Sequence, residues 1–267
     1  MPENDLSLLI TAAQKAGEIA GQFTGTEAQK WDKPDGAGPV TEADLAVNSY
    51  LEDHLRGARP DYGWLSEESE DDPLRQSCER VFVIDPIDGT RSFADGSRTW
   101  AHSLAIVEAG KPVAAVVYLP QRDLLFAAAA GEGATCNAVP IAASTAQNVD
   151  TAHILSAKPT LDAKHWHAGT PPAFQRSHRP SLAYRMSRVA DGTYDAMLTL
   201  RPTWEWDIAA GDLILREAGG RSSNRFGQPL RFNNPIPLLD GVLAGAPELH
   251  RDLLEALDPQ GPGISNQ

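Results

Sequence analysis

Two carboxylates, a glycine and a threonine stand together in Asp85-Pro86-Ile87-Asp88-Gly89-Thr90, directly after the apolar run Val81-Phe82-Val83-Ile84. Further acids fall at other segment ends: Glu67 and Glu68 after Trp64-Leu65-Ser66, Asp207 after Trp204-Glu205-Trp206, and Asp44 in Thr41-Glu42-Ala43-Asp44. Carboxylates crowded together repel, so their proximity needs a cation or a proton. An all-oxygen set without Cys or His favours a hard divalent ion, Mg²⁺ first and Mn²⁺ second. One carboxylate bridging two such ions is an arrangement used for phosphoryl transfer to water. Gly89 allows close backbone approach. Thr90, at a helix start, offers a hydroxyl and free N–H groups to a phosphate. Each fragment also has a plainer reading: a strand end, a turn, a solvated face, a helix cap. Only the combination points to chemistry.

The elements that must position these residues follow from patterning. Residues 80–84 read as a buried strand, β-branched and aromatic without polar alternation, that stops at Asp85-Pro86 because proline cannot continue a ladder. Residues 62–65 form a second short strand that delivers Glu67. Helical spacing predicts helices over 5–23, 41–55, 181–191, 207–218 and 247–257, with a short one opening at Thr90. Thr41 with Asp44 approximates a capping box. Apolar runs at 103–108, 112–119 and 124–128 predict an antiparallel meander, and Gly131 to Asn137 a turn. Strands are expected at 194–200 and 240–244. Residues 142–180 have weak periodicity, which places a domain boundary near 145: an N-terminal metal-binding α+β domain over 1–145 and a C-terminal α/β domain over 146–267 that completes the site. Lys33-Pro34-Asp35-Gly36-Ala37-Gly38-Pro39 reads as a mobile flap.

Composition narrows the class. Apolar residues make up 42% of 267, enough for a substantial core, and the net charge of −13 disfavours nucleic acid polymers and anionic membranes. Two cysteines imply no disulfide framework and fit a reducing cytoplasm. The acidic N-terminus has no signal-like apolar core, and no stretch approaches a membrane span.

The Asp-x-Asp-Gly-Thr signature of haloacid-dehalogenase-like phosphatases is a competitor, but Asp85 and Asp88 are three apart, one residue too many. In strict extended geometry the second acid would point to the other face. The sequence instead resembles the inositol monophosphatase superfamily. Asp85 through Thr90 is similar to its central signature, and Trp206-Asp207-Ile208-Ala209-Ala210-Gly211 with Glu217-Ala218-Gly219-Gly220 to its second. Trp64 to Ser69, Val40 to Asp44 and Gly131 to Asn137 resemble three further segments in family order. The resemblance implies an α+β fold, the layered α/β/α/β/α sandwich of the inositol monophosphatase / fructose-1,6-bisphosphatase type, and a homodimer. It implies Mg²⁺ held by Glu67, Asp85 and the Ile87 carbonyl at one position, and by Asp85, Asp88 and Asp207 at another. Asp44, Thr90 and Glu67 would activate the attacking water, and Gly89 and Thr90 would grip phosphate. Lys33 matches the family's flap lysine, and Gly38 replaces an acidic residue tied to a third ion. A small phosphorylated metabolite, lithium sensitivity and no covalent intermediate are implied as well.

The substrate is less plain. Inositol monophosphatases contact the ring with a glutamate seven residues before the helix-opening Asp, and here that position is Leu200. Pro202-Thr203-Trp204-Glu205-Trp206-Asp207 instead resembles a segment of bacterial 3'(2'),5'-bisphosphate nucleotidases, with Arg201 for a glycine. Arg185, Arg188 and Arg201 are candidates for a second phosphate, although surface placement is their ordinary use. Where the nucleotidases tend to carry a lysine, Ala183 stands. Adenosine 3',5'-bisphosphate is the expected substrate and inositol 1-phosphate the alternative. A catalytically silent scaffold on this fold is the third reading. His165-Trp166-His167 reads as incidental rather than a metal pair, and Trp204 and Trp206 either wall a base or pack the core.

Overall fold

The computed structural model describes residues 4–23, 30–32 and 39–259. Helix α1 (Asp5–Ala20) starts at Asn4, whose side chain accepts from the Ser7 amide, and buries Leu8, Leu9, Ala12, Ala13 and Ala16 along one stripe. Strands β1 (Lys30–Asp32) and β2 (Pro39–Thr41) pair antiparallel. Helix α2 (Glu42–Ala58) begins with the reciprocal Thr41–Asp44 capping box. Then come β3 (Gly63–Ser66), β4 (Arg80–Asp88), the short helix α3 (Thr90–Ala94), β5 (Ala101–Glu108), β6 (Lys111–Leu119), β7 (Leu124–Ala129), β8 (Ala134–Cys136) and β9 (Val139–Pro140). The seven strands β3 to β9 form one sheet in chain order, parallel between β3 and β4 and antiparallel elsewhere.

The second half supplies β10 (His153–Ser156), β11 (Gln175–Ser177), α4 (Leu182–Ala190), β12 (Ala196–Thr199), β13 (Thr203–Trp204), α5 (Glu205–Glu217), β14 (Arg221–Ser223), β15 (Leu238–Leu239), β16 (Val242–Gly245) and α6 (Pro247–Ala256). A five-stranded sheet runs β11-β10-β12-β16-β14, and β13 pairs with β15.

Three cores stack these elements into five layers. Phe82, Ile84, Leu104 and Val116 of the first sheet pack on Leu9, Val47 and Leu51 of α1 and α2. Val81, Val83, Ala105 and Val117 face the other way, onto Met186, Val189, Ile208 and Leu213 of α4 and α5, which also cover Met197 and Ala244 of the second sheet. Ile154, Leu198 and Leu243 pack outward on Leu249 and Leu253 of α6. The run at Val81 lacks polar alternation because both of its faces meet a core.

The expected layering is present, with local corrections. Strand β4 does not stop at Asp85. Its pairing with β5 continues from Asp85 opposite Ser103 to Asp88 opposite Ala101, three steps on one strand against two on the other. That extra residue is a β-bulge, the kind of irregularity where a strand tolerates proline. The turn expected from Gly131 to Asn137 closes as β8, and α5 begins at Glu205 rather than Asp207. Strands β10, β11 and β14 were not anticipated.

Candidate active site

The bulge in β4 arranges the central acids. In unbroken strand geometry residues three apart face opposite ways, but one extra residue reverses that parity. Asp85 and Asp88 therefore line the same cleft. Two contacts hold the bulge: the Ile87 amide donates to Asp85 Oδ1 at 3.0 Å, and His102 Nδ1 donates to the Pro86 carbonyl at 2.5 Å. The His102 ring is completely buried, which lowers its pKa to about 4 and keeps it neutral.

Other elements bring further carboxylates to this point. Glu67 follows β3, and its amide donates to the Ile84 carbonyl at 3.2 Å, extending the parallel pairing. Asp207 lies in the first turn of α5, whose start is tied to β5 by Ser103 Oγ donating to the Trp206 carbonyl at 2.9 Å. Carboxylate oxygens of Glu67, Asp85 and Asp207 come within 4.8 Å of one another. Asp88 borders the same cleft but stands outside that triad. Its Oδ2 accepts from Ser181 Oγ at 2.7 Å and from the Ala183 amide at 2.6 Å, at the start of α4.

Asp44 and Thr90 meet as well. Thr90 Oγ1 lies 3.1 Å from Asp44 Oδ1 and 3.2 Å from the Ile87 carbonyl, while Asp44 Oδ2 accepts from the Thr41 amide at 2.9 Å and from its hydroxyl. Gly89, at φ +97°, turns the chain from β4 into α3; a side chain there would be strained and would press on the Thr99 carbonyl 3.3 Å away.

Electrostatically the cluster is under-neutralised. Burial, then Glu67, Asp88, Asp207 and Asp44, push the Asp85 carboxyl well above its ordinary range. Burial raises Asp88 to about 6, against its hydrogen bonds from Ser181 and Ala183. Asp44 is raised by burial, against its bonds from Thr41 and Thr90. Acids destabilised by one another, all offering oxygen, fit a hard divalent cation such as Mg²⁺.

The cleft, about 550 Å³, has a cationic component too. Arg185 and Arg201 both line it. Arg185 is buried rather than on the surface; its Nε donates to the Arg179 carbonyl at 2.5 Å and its Nη2 to His178 Nε2 at 2.9 Å. Burial pulls its pKa down to about 10, with Asp88 opposing and Arg201 adding. The exposed Arg201 guanidinium has no hydrogen bond or ion pair among the described residues. Arg188 stays outside the cleft and pairs with Asp191 at 3.4 Å. Lys33 lies outside the described residues. Trp204, half-exposed, borders the cleft and stacks on Trp206 with centroids 4.9 Å apart, while Trp206 is in the core. Core packing, one of the two alternatives expected for this pair, thus holds for Trp206, while Trp204 stands at the cleft. Trp166 is core and His165 buried, and neither His165 nor His167 joins an acidic cluster among the described residues. Sequence reasoning missed His178 as a cleft residue; nothing in its polar, aperiodic stretch marks it.

Comparison with known proteins agrees with this geometry. The model of the inositol monophosphatase family matches residues 1–260. The chain is 31% identical over 263 residues to the Nus factor SuhB of Escherichia coli, covering 93% of this chain and 94% of that protein. It is 32% identical over 252 residues to the 3'-phosphoadenosine 5'-phosphate phosphatase of Mycobacterium leprae, covering 88% and 86%. The solved structure of the Thermotoga maritima IMPase superposes with a TM-score of 0.80 at 26% identity, covering 94% of this chain and 95% of that one. The chain belongs to the inositol monophosphatase family and is a phosphomonoesterase.

Proposed function

We propose that this phosphomonoesterase hydrolyses adenosine 3',5'-bisphosphate to AMP and phosphate with Mg²⁺ as cofactor. The observation that carries the substrate is Arg185 with Arg201 in the cleft of the acidic cluster. Two cations that repel each other, one buried and one without an acid partner among the described residues, suit a second phosphate. A polyol monophosphate offers them nothing, and Leu200 stands where a ring-binding glutamate is expected. The Mycobacterium leprae relative, named for a bisphosphate nucleotide, points the same way.

In this reading Glu67, Asp85, Asp88, Asp207 and the Ile87 carbonyl hold Mg²⁺. When bound, the ion supplies Lewis-acid stabilisation of the phosphoryl oxygens and makes water a stronger acid. The protein's own residues do the rest. Thr90 directs its hydroxyl proton to Asp44 Oδ1, which leaves its oxygen lone pairs to accept from the attacking water. Asp44, destabilised as an anion by burial, is the final acceptor of that proton, and Glu67 orients the water. Water attacks in line with the ester oxygen, and the new P–O bond forms as the old one breaks. The ester oxygen leaves with the bonding pair and takes a proton from solvent water to become the hydroxyl of AMP, and no covalent enzyme intermediate forms. The Gly89 and Thr90 amides steady the phosphate. Lithium inhibition belongs to the same reading.

The test is kcat/KM for adenosine 3',5'-bisphosphate, inositol 1-phosphate and fructose 1,6-bisphosphate side by side. The nucleotide is expected to lead by about tenfold or more, the worth of one charge-assisted contact. A preference for inositol 1-phosphate overturns the substrate. Asp85→Asn is expected to abolish Mg²⁺-dependent phosphate release, and undiminished release would sink the metal assignment.

A further inference from the structure

A second cavity adjoins the acidic cleft. Ala157, Thr199 and Arg201 line both. Beyond them the second cavity, about 350 Å³, is walled by Pro159, Leu200 and Pro202, with Thr160, Lys164 and His165 as its polar members. Its lining contains no acid, so a hydroxyl-rich ring entering it would give up water for few acceptors, none of them charged. A flat heteroaromatic ring has apolar faces for such walls and needs only a few polar groups at its edge.

Those groups are present. Thr160 is only 4% exposed, and its hydroxyl has no hydrogen-bond partner among the described residues. Lys164 has a single loose ion pair, 3.9 Å from Asp162. The Thr160 hydroxyl and the Lys164 ammonium, held by only that loose pair, can both donate to ring nitrogens. The His165 ring adds an uncharged wall, because burial and the nearby Arg225 and Lys164 charges favour its neutral form. Arg201, shared by the two cavities, stands at their junction.

We infer that this second cavity is a nucleobase subsite, selective for a purine nucleotide over a polyol phosphate; the inference rests on the bisphosphate reading above and assigns the base its place. The rival platform is Trp204, one face of which is already covered by Trp206. The cavity is preferred because it is concave, apolar and edged with the Thr160 hydroxyl and the loosely paired Lys164 ammonium. Leu200 then has a use: it presents a methyl wall at the position from which a carboxylate would bind a sugar ring.

The experiment compares AMP with ribose 5-phosphate as inhibitors of the full-length enzyme in Mg²⁺. Consumption of the preferred substrate is followed by chromatography. AMP is expected to inhibit at least about tenfold more tightly, since ribose 5-phosphate carries only an anomeric hydroxyl where AMP carries the base. Pro159→Trp, which fills the cavity from an exposed rim position, and Leu200→Gln, which makes its wall polar, are each expected to erase that difference while leaving inhibition by ribose 5-phosphate in place. If Leu200→Gln fails to fold, the rim variant decides. Equal inhibition by the two compounds in the wild type overturns the subsite. So does a difference erased by Trp204→Ala and untouched by Pro159→Trp. A preference for inositol 1-phosphate as substrate defeats the bisphosphate reading alone, because the inhibition ratio and its response to Pro159→Trp still decide where a base binds.

Discussion

Thr90 gives the sharpest test of the proposed chemistry. Its hydroxyl is the link between Asp44 and the cleft, and valine has nearly the same shape without a proton to relay. Thr90→Val is expected to lower kcat by about 10²- to 10⁴-fold, the usual worth of a positioned proton acceptor. Asp44 keeps its bonds from Thr41, so the stability loss should stay near ~1 kcal/mol. Steady-state kinetics beside a thermal melt check both; a kcat within threefold of wild type rejects the relay. At this scale much of the site was legible, because carboxylates in excess of any structural need stand out. The bulge was not. Pro86 predicts a strand end, and the extra residue that reverses the parity of Asp85 and Asp88 is a property of the pairing with Ser103 and Ala101. Arg185 misled for a similar reason. Arginine ordinarily sits on the surface, and only the approach of residues 178 and 179 encloses it.

Helix α2 shows one element serving structure and site together. Thr41 caps it, and the same hydroxyl and amide hold Asp44 Oδ2, leaving Oδ1 for Thr90. Thr41→Ala is expected to destabilise the fold by about 0.5–2 kcal/mol, as for other lost caps, and to lower kcat as well. Thr41→Ser, which keeps the oxygen, should restore both; activity left intact in the alanine variant would separate the cap from the site. Elements with local signals were legible: capped helices, the meander, the proline-started α6. Strands β10, β11 and β14 were not, since each has only three or four residues. They are specified by partners far away in sequence, as β10 is by β12 and β14 by β16. Short runs among Pro and polar residues carry too little periodicity to announce themselves.

For the molecule as a whole, the site joins layers. Glu67, Asp85 and Asp88 come from the first sheet and Asp207 from the helix layer between the sheets, so a cation among them clamps one layer to the next. Binding to the folded state alone adds about 2.7 kcal/mol at a hundredfold excess over Kd, which corresponds to a rise of about 5 °C in Tm for a chain of this size. The pH dependence has two opposing parts. Asp88, raised to about 6 from an ordinary 3.8, binds more protons folded than unfolded, and Asp85, raised by burial and by the acids around it, shifts in the same direction. The Asp88 contribution is present in full below about 3.8 and is lost as pH rises through 6. His102 and His250, lowered to about 4, do the reverse: their contribution is present above 6.5 and is lost as pH falls toward 4. In metal-free protein the carboxylates and the histidines thus pull in opposite directions. The Mg²⁺ increment isolates the carboxylates, because both histidines cancel in the difference. That increment is expected to be full at pH 8, to shrink below pH 6 as Asp85 and Asp88 take up protons, and to vanish in Asp85→Asn at any pH. Melts with and without Mg²⁺ from pH 5 to 8 measure it; an increment as large at pH 5 as at pH 8 would place the metal away from these acids.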